Sequence, residues 1–547
     1  MSAELIVGPV LRYVGEREAT MWVETDQACE VEVLGHSERT FHVEGHHYAI
    51  VVIGGLEPGT VTEYEVTLDG ERRWPPPDYE FPPSAIRTLG GDGPLRVSFG
   101  SCRVSLPHEP PYNDQPKKPG DPGRGVDALY ALVQRMRRCP RESWPHLLLL
   151  LGDQVYADEV SPDVREFIRA RRDTSQPPGE EVADFQEYTR LYWESWRDPT
   201  FRWLASTVSM AMIFDDHDVI DDWNTSKDWL EEIRSQPWWD ERIVAALSSY
   251  WIYQHLGNLT PDELRGDELL KRVKSADDGG PAIREFAYRA DRDPDCARWS
   301  YHRDLGRGTR LLMVDSRAAR VLERGPREML DEREWEWLEA NATGGFDHLL
   351  IGTSLPIFMT PGAHWLEASV EAICAGALGP RAARVGERVR QTVDLEHWPA
   401  FERSFMRFVE LLRAVGSGER GPAPRTITTL SGDVHFAYLA EVEFPASEGV
   451  ETTVHQAVCS PVRNTLAIAE RTFMRLAAAR PTERLAAALA RRVGIEKPSA
   501  NWRLVEDQAF DNQIATLELE ERSVMLRLEH TKAGQTELFR TFERQLA

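Results

Sequence analysis

Short, almost continuously apolar runs recur along most of this chain, and they constrain its fold more than any other feature. They lack the strict alternation of a strand that faces water on one side. Unbroken apolar strands are typical of sheets that are covered on both faces, as in α/β proteins. The runs lie at residues 96–99, 146–151, 208–214, 309–314, 348–351 and 425–430, and helical patterns such as 126–138 and 333–341 separate them. The sequence therefore predicts an α/β domain.

The N-terminal part of the chain follows a different pattern. Runs at 19–24, 30–33 and 64–69 alternate between polar and apolar residues, and a turn at 54–59 precedes the last of them. This pattern predicts a small all-β sandwich of fibronectin-III-like type. A chain of 547 residues is also long for a single hydrophobic core. We therefore expect a β-sandwich domain at residues 1–91 and a catalytic domain at residues 92–547.

Two segments near the C-terminus complete this organisation. Residues 514–519 and 524–528 alternate again and are expected to close the sheet. Residues 464–493 are rich in Arg, Ala and Leu, which predicts helices that are interrupted at Pro481. A basic amphipathic membrane helix is one interpretation of this stretch. We favour a packed exterior helix pair or a lid, because Ala dominates and bulky interfacial aromatic residues are scarce.

Charge and cysteine content narrow the classes of function. A net charge of −25 disfavours tight binding to nucleic acid or anionic lipid, although bound cations can still attract a phosphate substrate. No apolar run is long enough for a membrane span, and the first residues carry no signal-peptide or twin-arginine pattern. The six cysteines lie far apart without a CxxC pair, which indicates reduced thiols. We therefore expect a cytoplasmic protein.

Polar clusters directly follow five of the apolar runs. They occupy residues 100–103, 152–159, 215–218, 315–317 and 431–435, and the third continues at 221–224. Ligands of α/β proteins bind beyond the carboxyl ends of the strands. Clusters that share this position are expected to converge on one crevice.

The residue types in these clusters are those that bind metals. The clusters contain carboxylates, an imidazole, a thiol and a phenol. These groups fall into two sets of potential ligands: a mixed set that includes the thiolate and the phenolate, and a set with oxygen ligands alone. A phenolate ligand needs a strong Lewis acid such as ferric iron, because a free tyrosine titrates near pH ~10. Carboxylates without imidazole suit a hard divalent cation such as calcium or magnesium. One shared carboxylate would hold two ions roughly 3.5–4 Å apart, as in two-metal hydrolases.

The order of the motifs also resembles a known family. Gly100-Ser-Cys-Arg103, Gly152-Asp-Gln-Val-Tyr-Ala-Asp158, Asp215-Asp-His-Asp218 and Gly432-Asp-Val-His435 are similar to the motifs of the alkaline phosphatase D (PhoD-like) metallophosphoesterases, which are related to purple acid phosphatases. The resemblance covers roughly residues 95–460. It implies a metallophosphoesterase-type β-sandwich core flanked by helices, and hydrolysis of phosphoric esters.

The resemblance implies a specific set of metal ligands. Ferric iron would be bound by Cys102, Asp153, Tyr156 and His435. Asp153 would bridge to a second divalent ion. Asp216 and Asp433 would complete the coordination of that ion. Asp433 stands where related phosphatases carry a histidine, and this favours calcium over magnesium, manganese or zinc. The loop at 351–356 has no histidine where relatives offer another ligand, so this ion would be partly open.

The resemblance also implies a mechanism. A metal-activated water would attack phosphorus, and His217 would donate a proton to the leaving group. Arg103 would contact the phosphoryl oxygens, with neutralisation of the acidic cluster as its alternative. The expected substrates are phosphate mono- or diesters of small molecules, nucleotides or lipid headgroups. The competing hypothesis is a non-catalytic, metal-stabilised module that binds partners through the N-terminal sandwich.

Several other polar residues receive a structural interpretation. Asp315 and Arg317 are expected to form an ion pair at a strand end, which we favour slightly over a catalytic role. Surface or structural positions are predicted for His108, His302, His364 and His397. The sequence leaves the oligomeric state open.

Overall fold

The N-terminal part of the computed structural model is a β-sandwich of two four-stranded sheets. The structure describes residues 2–322, 327–392, 395–467, 471–472, 474–475 and 480–547. The first strands are β1 Leu5–Val14, β2 Ala19–Thr25, β3 Glu30–Val33, β4 His36–Arg39, β5 Phe41–Val43, β6 His46–Ile53, β7 Val61–Glu63, β8 Val66–Leu68, β9 Glu71–Trp74 and β10 Ala85–Arg87. The sheets have the orders β1-β2-β6-β5 and β4-β3-β8-β9, and β10 pairs with β7.

Two larger sheets form the rest of the β structure. Their strands are β11 Leu95–Gly100, β12 Leu147–Leu151, β13 Ser209–Ile213, β14 Tyr301–Asp304, β15 Thr309–Val314, β16 His348–Thr353, β17 Thr426–Ser431, β18 Ala437–Glu443, β19 Thr453–Val458, β20 Asn501–Ala509, β21 Gln513–Glu520, β22 Ser523–Lys532 and β23 Gln535–Gln545. The six-stranded sheet has the order β13-β12-β11-β21-β22-β23, and the seven-stranded sheet has the order β14-β15-β16-β17-β19-β18-β20.

Helices surround these two sheets. They are α1 Ala128–Met136, α2 Pro162–Arg171, α3 Phe185–Trp196, α4 Pro199–Thr207, α5 Lys227–Ile233, α6 Trp239–Tyr250, α7 Leu256–Asn258, α8 Pro261–Gly266, α9 Glu268–Ser275, α10 Gly280–Arg292, α11 Glu332–Asn341, α12 Pro361–Cys374, α13 Pro380–Thr392, α14 Glu402–Gly416 and α15 Arg480–Val493. A π-helical turn, Trp251–His255, joins α6 to α7. The predicted fold class, a sandwich core flanked by helices and preceded by a small all-β sandwich, is confirmed.

The apolar runs are continuous because their strands are covered on both faces. In β12, Leu147, Leu149 and Leu151 point into the core between the two large sheets. Leu148 and Leu150 belong to a second core, which the helices and the N-terminal sandwich share. Strand β15 divides its residues in the same way between the inner core and an outer core that contains α11 and α14. Burial on both faces removes the alternation that one-sided burial imposes.

The strands that carry the polar clusters run parallel. Strands β11, β12 and β13 pair in parallel, as do β15, β16, β17 and β19. The C-terminal ends of each parallel group therefore lie along one edge. Strand β21 pairs with β11, so the C-terminal tail completes the six-stranded sheet as expected.

The helical prediction for 464–493 is only partly described. Helix α15 has Pro481 in its first turn, where the missing amide hydrogen costs no helical hydrogen bond. Residues 468–470, 473 and 476–479 lie outside the described residues.

The N-terminal sandwich is held to the larger α/β part of the chain by a buried arginine. Arg12 on β1 donates hydrogen bonds to the carbonyls of Tyr253 at 2.8 Å and Gln254 at 2.6 Å, and to Asn258 Oδ1 at 3.1 Å. It thereby satisfies carbonyls where the π-helical turn disrupts normal helix bonding. A side chain at Gly257 would come within 2.1 Å of the Arg12 guanidinium, so glycine is required there. The two parts thus share one interface of hydrogen bonds and apolar packing.

We predict that Arg12→Ala lowers the free energy of unfolding by about 2–3 kcal/mol, because it leaves buried carbonyl groups without donors. Urea denaturation followed by tryptophan fluorescence measures this change. Arg72→Ala is the control, since Arg72 pairs with Glu65 on the surface of the same sandwich. Equal midpoints for the two variants would contradict the structural role of Arg12.

Candidate metal centre

Four polar loops meet beyond the strand ends, and backbone hydrogen bonds tie them together. The amide of Cys102 donates to the carbonyl of Gly152 at 3.3 Å, and the amide of Asp433 donates to Ser101 Oγ at 2.9 Å. The amide of Ala157 donates to the carbonyl of His217 at 2.9 Å. The clusters after β11, β12, β13 and β17 therefore form one site.

The backbone of these loops adopts left-handed conformations that side chains rarely accept. The φ angles are 56° at Cys102, 51° at Asp153, 65° at Asp433 and 55° at His435. Gly432 packs so closely on Ser101 that a Cβ atom would lie 2.0 Å from the hydroxyl oxygen. Non-glycine residues in this region cost free energy and cluster at functional sites. All four are predicted metal ligands.

Buried carboxylates form the first part of the site. Side-chain oxygens of Asp153, Asp215 and Asp216 lie within 4.8 Å of one another, and all three residues are buried. Asp153 Oδ1 is buried and makes no hydrogen bond within the described residues. Burial, followed by the charges of Asp215 and Asp216, raises the pKa of Asp153 well above its usual value, although His217 opposes this. A cation among these oxygens would relieve both the repulsion and the missing contact.

A thiol, a phenol and an imidazole form the second part. Cys102 Sγ accepts a hydrogen bond from Ser460 Oγ at 3.2 Å. The Tyr156 hydroxyl donates to Asp153 Oδ2 at 3.4 Å and accepts from Asn464 Nδ2 at 3.2 Å. Ser460 and Asn464, which donate these two hydrogen bonds, lie in the loop after β19.

The second part also has the chemistry of a metal-binding site. Burial raises the pKa of both Cys102 and Tyr156 well above the usual values, and the nearby Asp153 charge adds to this. His435 Nδ1 is buried and has no hydrogen-bond partner in the described part of the chain. Burial also lowers the pKa of His435 to about 4, so its ring is neutral and can bind a metal. The donor set therefore fits a transition-metal ion.

His217 lies at the open side of the site. Its Nδ1 is 2.9 Å from Asp158 Oδ2, its ring packs 4.8 Å from the Tyr156 ring, and its side chain is 19% exposed. Burial lowers the pKa of His217, but the charges of Asp158 and Asp216 outweigh this and raise it well above the usual value. Asp158 therefore holds the imidazole in place and favours its protonated form. One nitrogen of His217 also lies within 4.8 Å of oxygens from Asp216 and Asp221, so ligation is the alternative role.

Asp218, the last residue of the same motif, has a structural function. Its carboxylate accepts hydrogen bonds from the amides of Asp153 at 3.0 Å, Asp215 at 2.9 Å and Val155 at 3.3 Å, and from Gln254 Nε2 at 3.3 Å. It connects the loops after β12 and β13 from behind the site. Burial still raises the pKa of Asp218 to about 7.

Arg317 is the cationic centre of the carboxylate cluster. Its Nε donates to Asp215 Oδ1 at 2.5 Å, and its Nη1 donates to Glu396 Oε2 at 2.5 Å. Its Nη2 lies 3.3 Å from Asp216 Oδ1 and 3.8 Å from Asp433 Oδ1. The expected ion pair between Asp315 and Arg317 is therefore wrong. Asp315 instead accepts backbone hydrogen bonds from residues 317–319, so its carboxylate is used by its own turn.

The sequence predicts a surface or structural position for His397, but the structure places this residue at the site. Its Nε2 lies 3.1 Å from Asp433 Oδ2, and its Nδ1 lies 3.0 Å from Glu367 Oε1 on α12. Burial opposes a charged ring, but the two carboxylates raise the pKa of His397 well above its usual value. The loop after β16 lacks a histidine that could reach the site. His397, from a later segment of the chain, supplies an imidazole that contacts Asp433.

Arg103 lies away from the convergence of these side chains. It is buried, its Nε donates to Asp127 Oδ2 at 2.8 Å, and its guanidinium packs 4.5 Å from the Phe201 ring. This geometry does not favour contact with a phosphoryl group. A catalytic role for Arg103 stays a prediction.

Comparison with known proteins identifies the family. The sequence profile of the PhoD-like phosphatases matches residues 127–503, which is more than half of the chain. A domain of unknown function, DUF7800, matches residues 2–86. The chain belongs to the PhoD-like phosphatase family. It is a metal-dependent phosphoric ester hydrolase, and the resemblance of its motifs is confirmed.

The PhoD-like fold extends over nearly the whole chain. A structure described as "Structure of PhoD" is 12% identical, has a TM-score of 0.59, and aligns over 99% of this chain and 92% of its own. A maltogenic amylase from S. marinus aligns at 9% identity over 96% of this chain and 76% of its own, but its TM-score of 0.17 supports no inference. No curated protein sequence matches. Within the described ranges, no helix combines the length and hydropathy of a membrane span.

We predict that His397→Asn weakens binding of a divalent metal by about 10–100-fold, because Asp433 loses the group that orients it. Calorimetric titration with calcium or manganese measures the affinity. His302→Asn is the control, since His302 is half-buried on β14 and is not among the site residues. Unchanged affinity in folded His397→Asn protein would exclude this role.

Proposed function

We propose that this chain hydrolyses phosphate mono- or diesters at a centre of two metal ions that share Asp153. The position of Asp153 between two donor sets is the observation that carries the proposal. One carboxylate oxygen accepts a hydrogen bond from Tyr156, and the side chain also lies in the oxygen cluster with Asp216. A carboxylate in that position can bind two ions at once.

The two donor sets differ in their chemistry. Cys102, Tyr156 and His435 offer sulfur, phenolate oxygen and nitrogen, which suit ferric iron. Asp216 and Asp433 offer oxygen alone, which suits calcium, with magnesium, manganese or zinc as alternatives. When bound, the ions would supply an acidified water as nucleophile and positive charge for the phosphoryl oxygens.

His217 is the proposed proton donor. Its Nδ1 is held by Asp158, and so its Nε2 is the atom that can carry a proton toward the departing oxygen. The partial exposure of the ring at the open side of the site supports this role. Asp158 would keep the imidazole oriented and charged before each proton transfer.

Arg317 and His397 would position the carboxylates and not contact the substrate. Arg317 is fully buried among Asp215, Asp216 and Glu396, and His397 is buried against Asp433. Their positive charges limit the repulsion among the acidic side chains while the ion-facing oxygens stay available. Arg103 would need to release Asp127 before it could contact a phosphoryl group.

The substrate class and the compartment are part of the same proposal. Small-molecule, nucleotide and lipid-headgroup phosphoesters all fit the proposed chemistry. The six cysteines are free, which supports a reducing cytoplasm. The alternative, a non-catalytic module that acts through the N-terminal sandwich, requires no proton donor beside the metal ligands.

We predict that the purified protein contains iron and has a tyrosinate-type visible absorption band, because Tyr156 would bind as phenolate. Metal analysis and an absorption spectrum test this together. The Cys102→Ala/Tyr156→Phe variant is expected to lose both signals, whereas Cys139→Ala/Tyr112→Phe, at half-buried positions outside the site, retains them. Zinc alone, or no metal, would refute the iron centre.

We predict that His217→Ala lowers turnover of a phosphate ester by about 10²–10⁴-fold, the usual contribution of a general acid. Metal content should stay unchanged, because His217 is not proposed as a ligand. His302→Ala is the matched control. Undiminished turnover would remove His217 from the mechanism, and a parallel loss of metal would assign it to the ligands.

A further inference from the structure

A cavity of about 250 Å³ lies between the N-terminal sandwich and the catalytic part, far from the metal centre. The sandwich contributes Arg87, and the catalytic part contributes Arg96 at the start of β11. Cys102 follows the other end of the same strand. Six residues of strand at ~3.3 Å each separate the two places by roughly 20 Å.

The walls of this cavity are basic, although the chain as a whole carries a net charge of −25. The lining includes four arginines, Arg87, Arg96, Arg141 and Arg307, the neutral ring of His146, and two acidic residues, Asp92 and Glu142. An excess of arginine around one cavity is unexpected on an acidic protein. It favours binding of an anion.

Two of the four arginines form ion pairs with carboxylates outside the cavity, and the other two do not. Arg96 is paired with Glu518 at 3.2 Å, and Arg141 with Glu63 at 2.7 Å. Arg87 donates to the backbone carbonyls of residues 144 and 145, and its Nη2 lies 3.0 Å from His146 Nε2. Arg307 donates to the carbonyl of Gly91. Neither Arg87 nor Arg307 forms an ion pair with a carboxylate within the described residues, although Asp92 and Glu142 line the same cavity.

His146 reports the same excess of positive charge. Its Nδ1 accepts a hydrogen bond from the amide of Arg96 at 3.1 Å. Burial and then the charges of Arg87, Arg96 and Arg307 lower the pKa of His146 to about 3. Burial, together with Arg96, also lowers the pKa of Arg87 to about 10. The positive charges of these arginines repel one another, and an anion between them would relieve this repulsion.

A glycine-rich turn forms one wall. Gly90 and Gly93 have φ angles of 94° and 93°, and a Cβ at Gly59 would lie 2.5 Å from Gly91 Cα. Glycine therefore permits both the turn and its close contact with the sandwich. Backbone without side chains can approach a phosphate closely. Arg307, with a φ of 52°, is held in a strained turn that faces this wall.

We propose that this cavity is a second anion site, which binds a phosphoryl group at the junction of the two domains. Arginine guanidinium groups match phosphate oxygens in geometry and charge. The cavity is smaller than the ~300–1,000 Å³ of typical drug-sized pockets, which indicates inorganic phosphate or a small phosphorylated compound. An anion here would bridge Arg87 of the sandwich and Arg307 of the catalytic part. The site would thus couple phosphate concentration to the stability of the domain junction.

Calorimetric titration of the metal-loaded protein with inorganic phosphate tests the proposal. We expect two classes of binding site in the unmodified chain. Arg307→Gln and Arg87→Gln should each weaken one class at least tenfold while turnover of a phosphate ester is retained. Asp216→Asn should remove the other class and leave the arginine-dependent one intact. Arg522→Gln, at an exposed position on the turn between β21 and β22, should change neither.

Phenylphosphonate, which has no hydrolysable ester bond, separates the two sources of a phosphoryl group. Binding of both probes at the Arg307-dependent site would assign it to phosphorylated compounds, and binding of phosphate alone would assign it to the free ion. A single class of site that Asp216→Asn abolishes and that folded Arg307→Gln and Arg87→Gln retain at full affinity would overturn the proposal. Because the arginine-dependent binding is measured without turnover, failure of the proposed catalytic mechanism would be seen separately.

Discussion

The guanidinium of Arg317 joins four carboxylates from three segments of the chain, and the geometry of the metal centre depends on it. Asp215 and Asp216 follow β13, Glu396 precedes α14, and Asp433 follows β17. Carboxylates at such distances repel one another strongly when buried. A fixed cation behind them allows the acidic cluster to exist before metal binding. Its position also determines which carboxylate oxygens remain for the ions.

The fold brings these groups together by directing parallel strands to a common edge. Each strand is covered on both faces, and packing therefore fixes its position. The short loop that follows the strand then begins at a well-defined place. The loops then leave the strands through left-handed residues and close glycine contacts. Free energy from the packed cores offsets the strain at these positions. The site is therefore rigid because of the sheets beneath it, and Asp218 adds a hydrogen-bonded support between two loops.

Much of this arrangement could be predicted from sequence because the signals are local. A run such as Leu147–Leu151 is apolar through burial on both faces, and the motif that follows it must lie at the strand end. The contacts of His397 and Arg317 could not be predicted, since their partners are distant in sequence. The pairing of Asp315 with Arg317 was wrong because proximity in sequence does not reveal that a carboxylate caps its own turn. The domain boundary at residue 91, the metal identities and the roles of the individual ligands stay predictions.

The shared interface between the sandwich and the catalytic part has a consequence for synthesis of the chain. Trp22 and Tyr48 pack on Trp196 and Tyr253, which the ribosome makes much later. At ~5–20 residues per second, Tyr253 is synthesised roughly 10–40 s after Tyr48, and this aromatic face stays uncovered until then. During that interval its own core can form, but its outer face is available to chaperones or to other nascent chains. The order of the domains along the chain therefore makes translation speed a factor in the yield of folded enzyme.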